Sequence, residues 1–284
     1  GKGFRFSFGA EMEFYLFEID EHGRDTTIPH DMAGYMDIAP DDKGEHIRRE
    51  ICLMLEQMGI HPECSHHESG PGQNEIDFRY SDPLTAADNA VTFRTVVRTA
   101  AAQNGLCASF SPKPLPDRDG SGMHINISAQ GSGQTELPAA VIAGVLDKAA
   151  EITLFLNPCE ESYRRLGHDK APRYVTWSEE NRSQLIRIPA AIGENRRAEL
   201  RSADATANPY LAYALLIHAG LHGIENGLVL PPATDLNLYT APAEALKALR
   251  TLPGSLAEAA ALADASPFVR AHLPASVIRA YTRL

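Results

Sequence analysis

The sequence predicts an α+β fold in one domain over 1–284. Three observations predict it. Strand-like stretches with strict two-residue alternation are interleaved with apolar stretches at helical spacing. Helix starts are marked by Asp82-Pro83 and Asn208-Pro209, a capping side chain followed by a proline in the first turn. No internal repeat or low-complexity linker divides the 284 residues, and Gly131-Ser132-Gly133 reads as a loop.

The elements follow in order. From residue 4 to 17, Phe4, Phe6, Phe8, Ala10, Met12, Phe14 and Leu16 fall on one face. Arg5, Ser7, Glu11 and Glu13 fall on the other, which makes a half-buried strand. Residues 20–42 are polar with turn residues. Ile47, Ile51, Met54, Leu55 and Met58 then recur at helical spacing, and Gly59 stands where that helix ends. A strand over 75–80 turns Ile76 and Phe78 to the core. A helix runs from Asp82 to about 105, strands follow near 106–111 and 122–129, and a helix covers 137–156. Strands at 183–188 and 196–202, a helix from Asn208 to Asn226, and short proline-separated helices complete the chain.

Composition excludes several function classes. The net charge is −11, with no basic stripe for nucleic acid. No stretch reaches the roughly 20 apolar residues of a membrane span, and the first residues alternate instead of forming a signal-type apolar run. Cys52, Cys64, Cys107 and Cys159 are too scattered for a zinc ribbon or a redox pair, which predicts reduced thiols in a cytoplasmic protein.

The chemistry lies on the polar strand faces, where residues two apart point the same way about 7 Å from each other. They carry Glu11 and Glu13; Glu75 and Asp77; His124, Asn126 and Ser128; and Arg197, Glu199 and Arg201, with His66-His67-Glu68 just ahead of the second strand. A polar strand face is ordinarily the wet side of a sheet. These faces contain no lysine, and adjoining carboxylates of this density repel one another unless a cation sits among them. Oxygen donors with one imidazole suit Mg²⁺ or Mn²⁺. Asp119-Gly-Ser-Gly-Met-His124 is either a tight turn or a close backbone approach to a ligand. No phosphate-loop or dinucleotide motif is present. The arginines at 164, 165, 173, 182, 187, 196, 197 and 201 concentrate phosphate- and carboxylate-chelating groups late in the chain.

These motifs are collinear with those of the glutamine synthetase family. Gly9-Ala-Glu-Met-Glu-Phe14 resembles its paired-glutamate strand. His66-His-Glu68 with Gly72-Gln-Asn-Glu75, and Lys113-Pro114 with Gly120-Ser-Gly-Met-His124, resemble its next two signatures. Asn157-Pro158 with Ser162-Tyr-Arg-Arg-Leu166, Asn181-Arg-Ser183 with Ile186-Arg-Ile-Pro189, and Glu199-Leu-Arg201 with Ala207-Asn-Pro-Tyr-Leu211 resemble the remainder.

The resemblance implies a curved antiparallel sheet with flanking helices, two or more Mg²⁺ or Mn²⁺ ions per site, and ATP as co-substrate. One ion would be held by Glu13, Glu68 and Glu75, the other by Glu11, His124 and Glu199. Glu63, His66, Ser128, Arg187 and Arg197 would line the nucleotide site. Gly120, Asp119, Arg165 and Arg201 would hold the acid, and Arg182 would neutralise the transferred phosphoryl group. The implied reaction phosphorylates the γ-carboxylate of glutamate, or a similar acid, and passes the acyl group to ammonia or another amine. The family forms rings, which implies a homo-oligomer, and carries a small β-grasp domain ahead of the strand at which this sequence begins.

Departures cluster on the amine side. The flap position of a family glutamate holds Lys170, preceded by Asp169, and a lysine repels ammonium. Asp119 stands where the family has Asn, and Asn126 where it has His. Two further readings therefore stand beside the ligase: a nucleotide- or amino-acid-binding relative without turnover, and a half-site completed by a partner domain.

Overall fold

The computed structural model describes residues 3–131, 137–190 and 196–283. Its organising element is β1, Phe4–Ile19, a 16-residue strand with the expected apolar face buried. Along one edge β1 pairs with β6 (Met123–Gly131) and then β5 (Leu106–Ser109); along the other it pairs with β4 (Gln73–Phe78). Near its end it also takes β2 (Asp25–Pro29). Outward from β4 lies β3 (Pro62–His67), and outward from β6 lie β9 (Ala198–Leu200), β8 (Ile186–Ile188) and β7 (Trp177–Glu179). Every pair in this sheet is antiparallel except β7–β8, so the sheet is mixed where the sequence predicts an antiparallel one.

The helices cover the apolar face. They are α1 (Glu45–Gln57), α2 (Pro83–Gln103), α3 (Ala139–Leu156), α4 (Glu160–Arg165) and α5 (Pro209–Glu225), followed by α6 (Ala243–Leu246), α7 (Leu256–Ala265), α8 (Pro267–His272) and α9 (Ala275–Thr282). Asp82 caps α2 by accepting from the backbone N–H of Leu84 and Thr85, and Asn208 caps α5 in the same way through Tyr210 and Leu211. Phe8 of β1 stacks on Tyr213 of α5 with centroids 4.5 Å apart, and Phe14 meets Phe93 of α2 at 6.1 Å. α3 and α5 cross with no room for side chains. A Cβ on Gly223 would stand 1.9 Å from the Ala140 carbonyl oxygen, and one on Gly144 2.1 Å from that of Ala219.

Four elements were not predicted: β2, β3, α4 and β7. β3 shows no apolar alternation, because only His67 in it is fully buried. Of the predicted Gly131–Gly133 loop, Gly131 ends β6, and Ser132 and Gly133 lie outside the described residues. Among the described residues no helix is long and apolar enough to cross a membrane.

Candidate active site

Strand register assembles the polar face into rungs, since residues opposite one another on paired strands share a face. In one rung Asp77 lies opposite Glu11, and Glu11 opposite His124. In the next, His66 lies opposite Glu75, and Glu75 opposite Glu13. In a third, Asn126 lies opposite Glu199, and Glu199 opposite Arg187. Strands distant in sequence thus bring five carboxylates, two imidazoles and an arginine onto one surface.

Above this surface is a cavity of about 630 Å³, adjoined by a smaller one of about 310 Å³. Glu11, Cys64 and Asp77 border both. Of the residues expected around a nucleotide, Glu63, Ser128 and Arg197 line the smaller cavity, whereas His66 and Arg187 line the larger. The larger one also takes Asp119, Gly120, Arg165 and Arg201, expected for the acid, together with Arg182 and Lys170. Asp169 lines neither; its carboxylate accepts from Lys113 Nζ at 2.6 Å. Glu199 sits beneath the surface, 1% exposed.

Two donor sets stand out. Ligand atoms of Glu11, His124 and Glu199 lie within 4.8 Å of one another, as do those of His66, Glu68 and Glu75. Glu13, expected with Glu68 and Glu75, lies opposite Glu75, accepts from the Gly122 backbone N–H at 2.6 Å and borders the same cavity. A third close group is Glu11, Glu75 and Asp77. Asp31, Asp42 and His67 are also close, but their oxygens are taken up by protein groups. Asp31 accepts from His67 Nε2 at 2.9 Å and from the N–H of Gly72 at 2.9 Å and Lys43 at 3.1 Å, and Asp42 pairs with Arg48. That group anchors the loop of residues 30–44 and is not a metal site.

The electrostatics show a surface short of positive charge on one side. Burial, with Glu75 and Glu11 adding repulsion, pushes the Asp77 carboxyl up to about 10, and its Oδ1 is buried without a hydrogen-bond partner. Burial and the neighbouring Glu75 likewise raise Glu68. Burial also opposes ionisation of Glu11, but hydrogen bonds from His124 and Asn126 and the charge of His124 outweigh it and hold Glu11 near 2. The Glu75 hydrogen bond raises His66. Glu199 is held by Arg187 at 3.0 Å, by a short hydrogen bond from Arg201, and by His124 at 3.4 Å. Repelling, partly orphaned carboxylates with one imidazole per set fit hard divalent cations of the Mg²⁺ or Mn²⁺ type.

The remaining groups position these donors. Asn126 donates to Glu11 at 2.7 Å and accepts from Arg197 at 2.9 Å, linking the smaller cavity to the first rung. Arg165 is buried and donates to the carbonyls of Ser202 and Arg201. It passes so close to Gly120 that a Cβ there would lie 2.4 Å from the Pro112 carbonyl oxygen and 2.9 Å from Arg165 Cγ. Gly120 is therefore a place where the backbone needs the missing side chain. The Tyr239 hydroxyl, with one proton to donate, lies 2.7 Å from the Lys170 carbonyl oxygen and 3.0 Å from that of Arg182, and Tyr35 lines the mouth. Sequence reasoning passed over both tyrosines, which lie in stretches without periodicity. It placed Asp77 on the polar face beside Glu75 but gave it no role, although that alternation was signal enough.

Fold and cleft together define an α+β domain that sets two hard-metal donor groups and an arginine wall on one face of a mixed sheet. The family of the glutamine synthetase catalytic domain matches residues 1–284, and the chain belongs to it. It is 45% identical over 273 residues to a glutamine synthetase of Clostridium saccharobutylicum, covering 90% of this chain and 61% of that protein. It is 46% identical over 267 residues to one of Staphylococcus aureus (strain MW2), covering 88% and 60%. The chain thus spans about 60% of the length of these relatives. Among solved structures it resembles one described as "GmaS/ADP complex-Conformation 1" (TM-score 0.85, 28% identity) and one described as "Apo GmaS without ligand" (0.86, 30%). Each match covers the whole of this chain and 69% of the other.

Proposed function

We propose that this chain carries the catalytic surface of an ATP-dependent carboxylate–amine ligase acting on glutamate or a similar acid. The observation that supports this most is the placing of two hard-metal donor sets beside buried arginines, between two adjoining cavities. Phosphoryl transfer needs little covalent help from protein; it needs charge neutralisation and alignment.

In this reading the nucleotide lies in the smaller cavity against Arg197, Ser128 and Glu63. The acid lies in the larger one, its carboxylates reached by Arg201 and by the backbone at Gly120. Glu11, His124 and Glu199 would hold one divalent cation, and Glu68 and Glu75, with His66 or Glu13, would hold the other. Such cations polarise phosphate oxygens and screen charge when bound. The side-chain carboxylate attacks the terminal phosphorus and ADP leaves. Arg182 and Arg187 face the larger cavity and offset the charge carried by the acyl phosphate. The amine, its ammonium proton passed to water, attacks the acyl carbon as the neutral base, and phosphate departs carrying the proton shed by the new amide nitrogen. Self-association into a ring is part of the same proposal and is checked by light scattering on the eluted protein.

The test is ADP release with Mg²⁺ or Mn²⁺, ATP and glutamate, with and without a panel of amines. Amine-dependent release that disappears in Glu199→Ala, with the variant still folded by far-ultraviolet dichroism, supports the ligase. ATP binding without release under every condition sinks it and leaves a binding module or a half-site.

A further inference from the structure

The larger cavity is bordered on one side by the segment that follows α4, where two charged neighbours diverge. Asp169, at φ 51°, sends its carboxylate outward to Lys113. Lys170 turns to the cavity mouth. Its Nζ donates to Ser69 Oγ, stands 3.7 Å from Glu68 Oε2 and 3.8 Å from Asp119 Oδ2, and lies 4.8 Å from the centroid of the Tyr35 ring. The backbone behind it is pinned by the Tyr239 hydroxyl.

These partners come from three separate segments: the loop of residues 30–44, the turn after β3, and the stretch before β6. A hydroxyl acceptor, two carboxylates and an aromatic face are the complement of a primary alkylammonium. The group they hold is itself an alkylammonium, on a four-carbon tether. Its side chain is 55% exposed, so water competes for it and the contacts are of moderate strength.

We propose that Lys170 is a built-in competitor for the amine: its own ammonium fills the cation cage at the cavity mouth, and an external alkylammonium enters by displacing it. A tethered competitor works at an effective concentration in roughly the millimolar range. A small cation such as ammonium gains only the polar contacts of the cage. A longer alkylammonium also gains the apolar edge offered by Met36, which borders the same mouth and is half exposed. Lys170 thereby biases the site away from free ammonium. Naming the ligand as the acceptor amine rests on the ligase reading; the cage's affinity for alkylammonium does not.

The experiment is titration of the full chain with n-butylammonium chloride at fixed ionic strength, without ATP, followed by calorimetry or ligand-observed NMR. Lys170→Met is expected to tighten binding about three- to tenfold, as loss of a moderate ion-pair and cation–π competitor requires. Lys170→Arg should stay near the parent, and Lys170→Met with Tyr35→Leu should lose the gain. Unchanged or weaker binding in Lys170→Met, with near-ultraviolet dichroism unaltered, overturns the proposal. Tighter butylammonium binding in a protein that releases no ADP with any amine keeps the cage and removes the ligase. Amine-dependent ADP release with an amine KM indifferent to Lys170→Met does the opposite.

Discussion

Glu199, beneath the polar surface, and Lys170, at the mouth of the larger cavity, carry opposite charges and are held in different ways. Glu199 is on a three-residue strand in the sheet, 1% exposed, between two arginines and a histidine. Lys170 hangs from an irregular segment, 55% exposed, with partners at 3.7 to 4.8 Å besides one hydroxyl. The sheet-borne half fixes its groups by register and desolvation, so it cannot be altered without cost to the fold. The loop-borne mouth fixes its groups by contacts that water screens, so it can change selectivity and leave the scaffold alone.

The largest expected effect is on the sheet side. Glu199→Ala strands Arg187 and Arg201 without their buried counter-charge and should lower unfolding free energy by about 3–5 kcal/mol, read in a denaturant titration. A cost below about 1 kcal/mol would break the comparison, because it would place Glu199 in a wet environment.

Asp31 sharpens the contrast, being a sheet-like anchor inside the mouth loop. Burial opposes its ionisation, yet the His67 and backbone hydrogen bonds hold it near 2. A depressed carboxyl stabilises above its ordinary value of 3.8, and that stabilisation is lost as pH falls toward about 2. Asp31→Asn should therefore cost about 2 kcal/mol at neutral pH, and the deficit should shrink in acid melts.

Asp77 runs the other way. Its carboxyl is raised to about 10, so the folded protein keeps a proton that the unfolded chain releases. Its contribution is fully present below 3.8 and lost as pH climbs toward about 10. Without divalent metal, Asp77→Asn should flatten the alkaline fall of the melting temperature. Adding Mn²⁺ to the parent should do likewise. The smallest effect belongs to the exposed side of the mouth: Asp169→Asn, which removes only the Lys113 pair, should shift stability by about 1 kcal/mol or less.

Much of this was legible in the sequence because it is periodic. The alternation in β1 gave both the buried face and the paired glutamates, and the Asp-Pro and Asn-Pro pairs gave the starts of α2 and α5. What was not legible depends on partners remote in the chain. β3 reads as polar coil until β4 pairs with it. β7 is three residues long and takes its parallel place only because β8 lies alongside. The place of His66 opposite Glu75 is set by register, which no local motif displays. Asp169 and Lys170 are adjacent and both polar, and no local pattern says which one turns inward.

The length of β1 bears on how the molecule is put together in time. One strand serves as the shared edge for β4, β5 and β6, and the nearest of these begins more than fifty residues along the chain. The donor set of Glu11, His124 and Glu199 joins positions separated by most of the described sequence. Contacts of such high sequence separation are slow to form, because loop closure must precede any gain from pairing. The polar surface is therefore complete only when β4, β6 and β9 have all docked, each across a long stretch of chain.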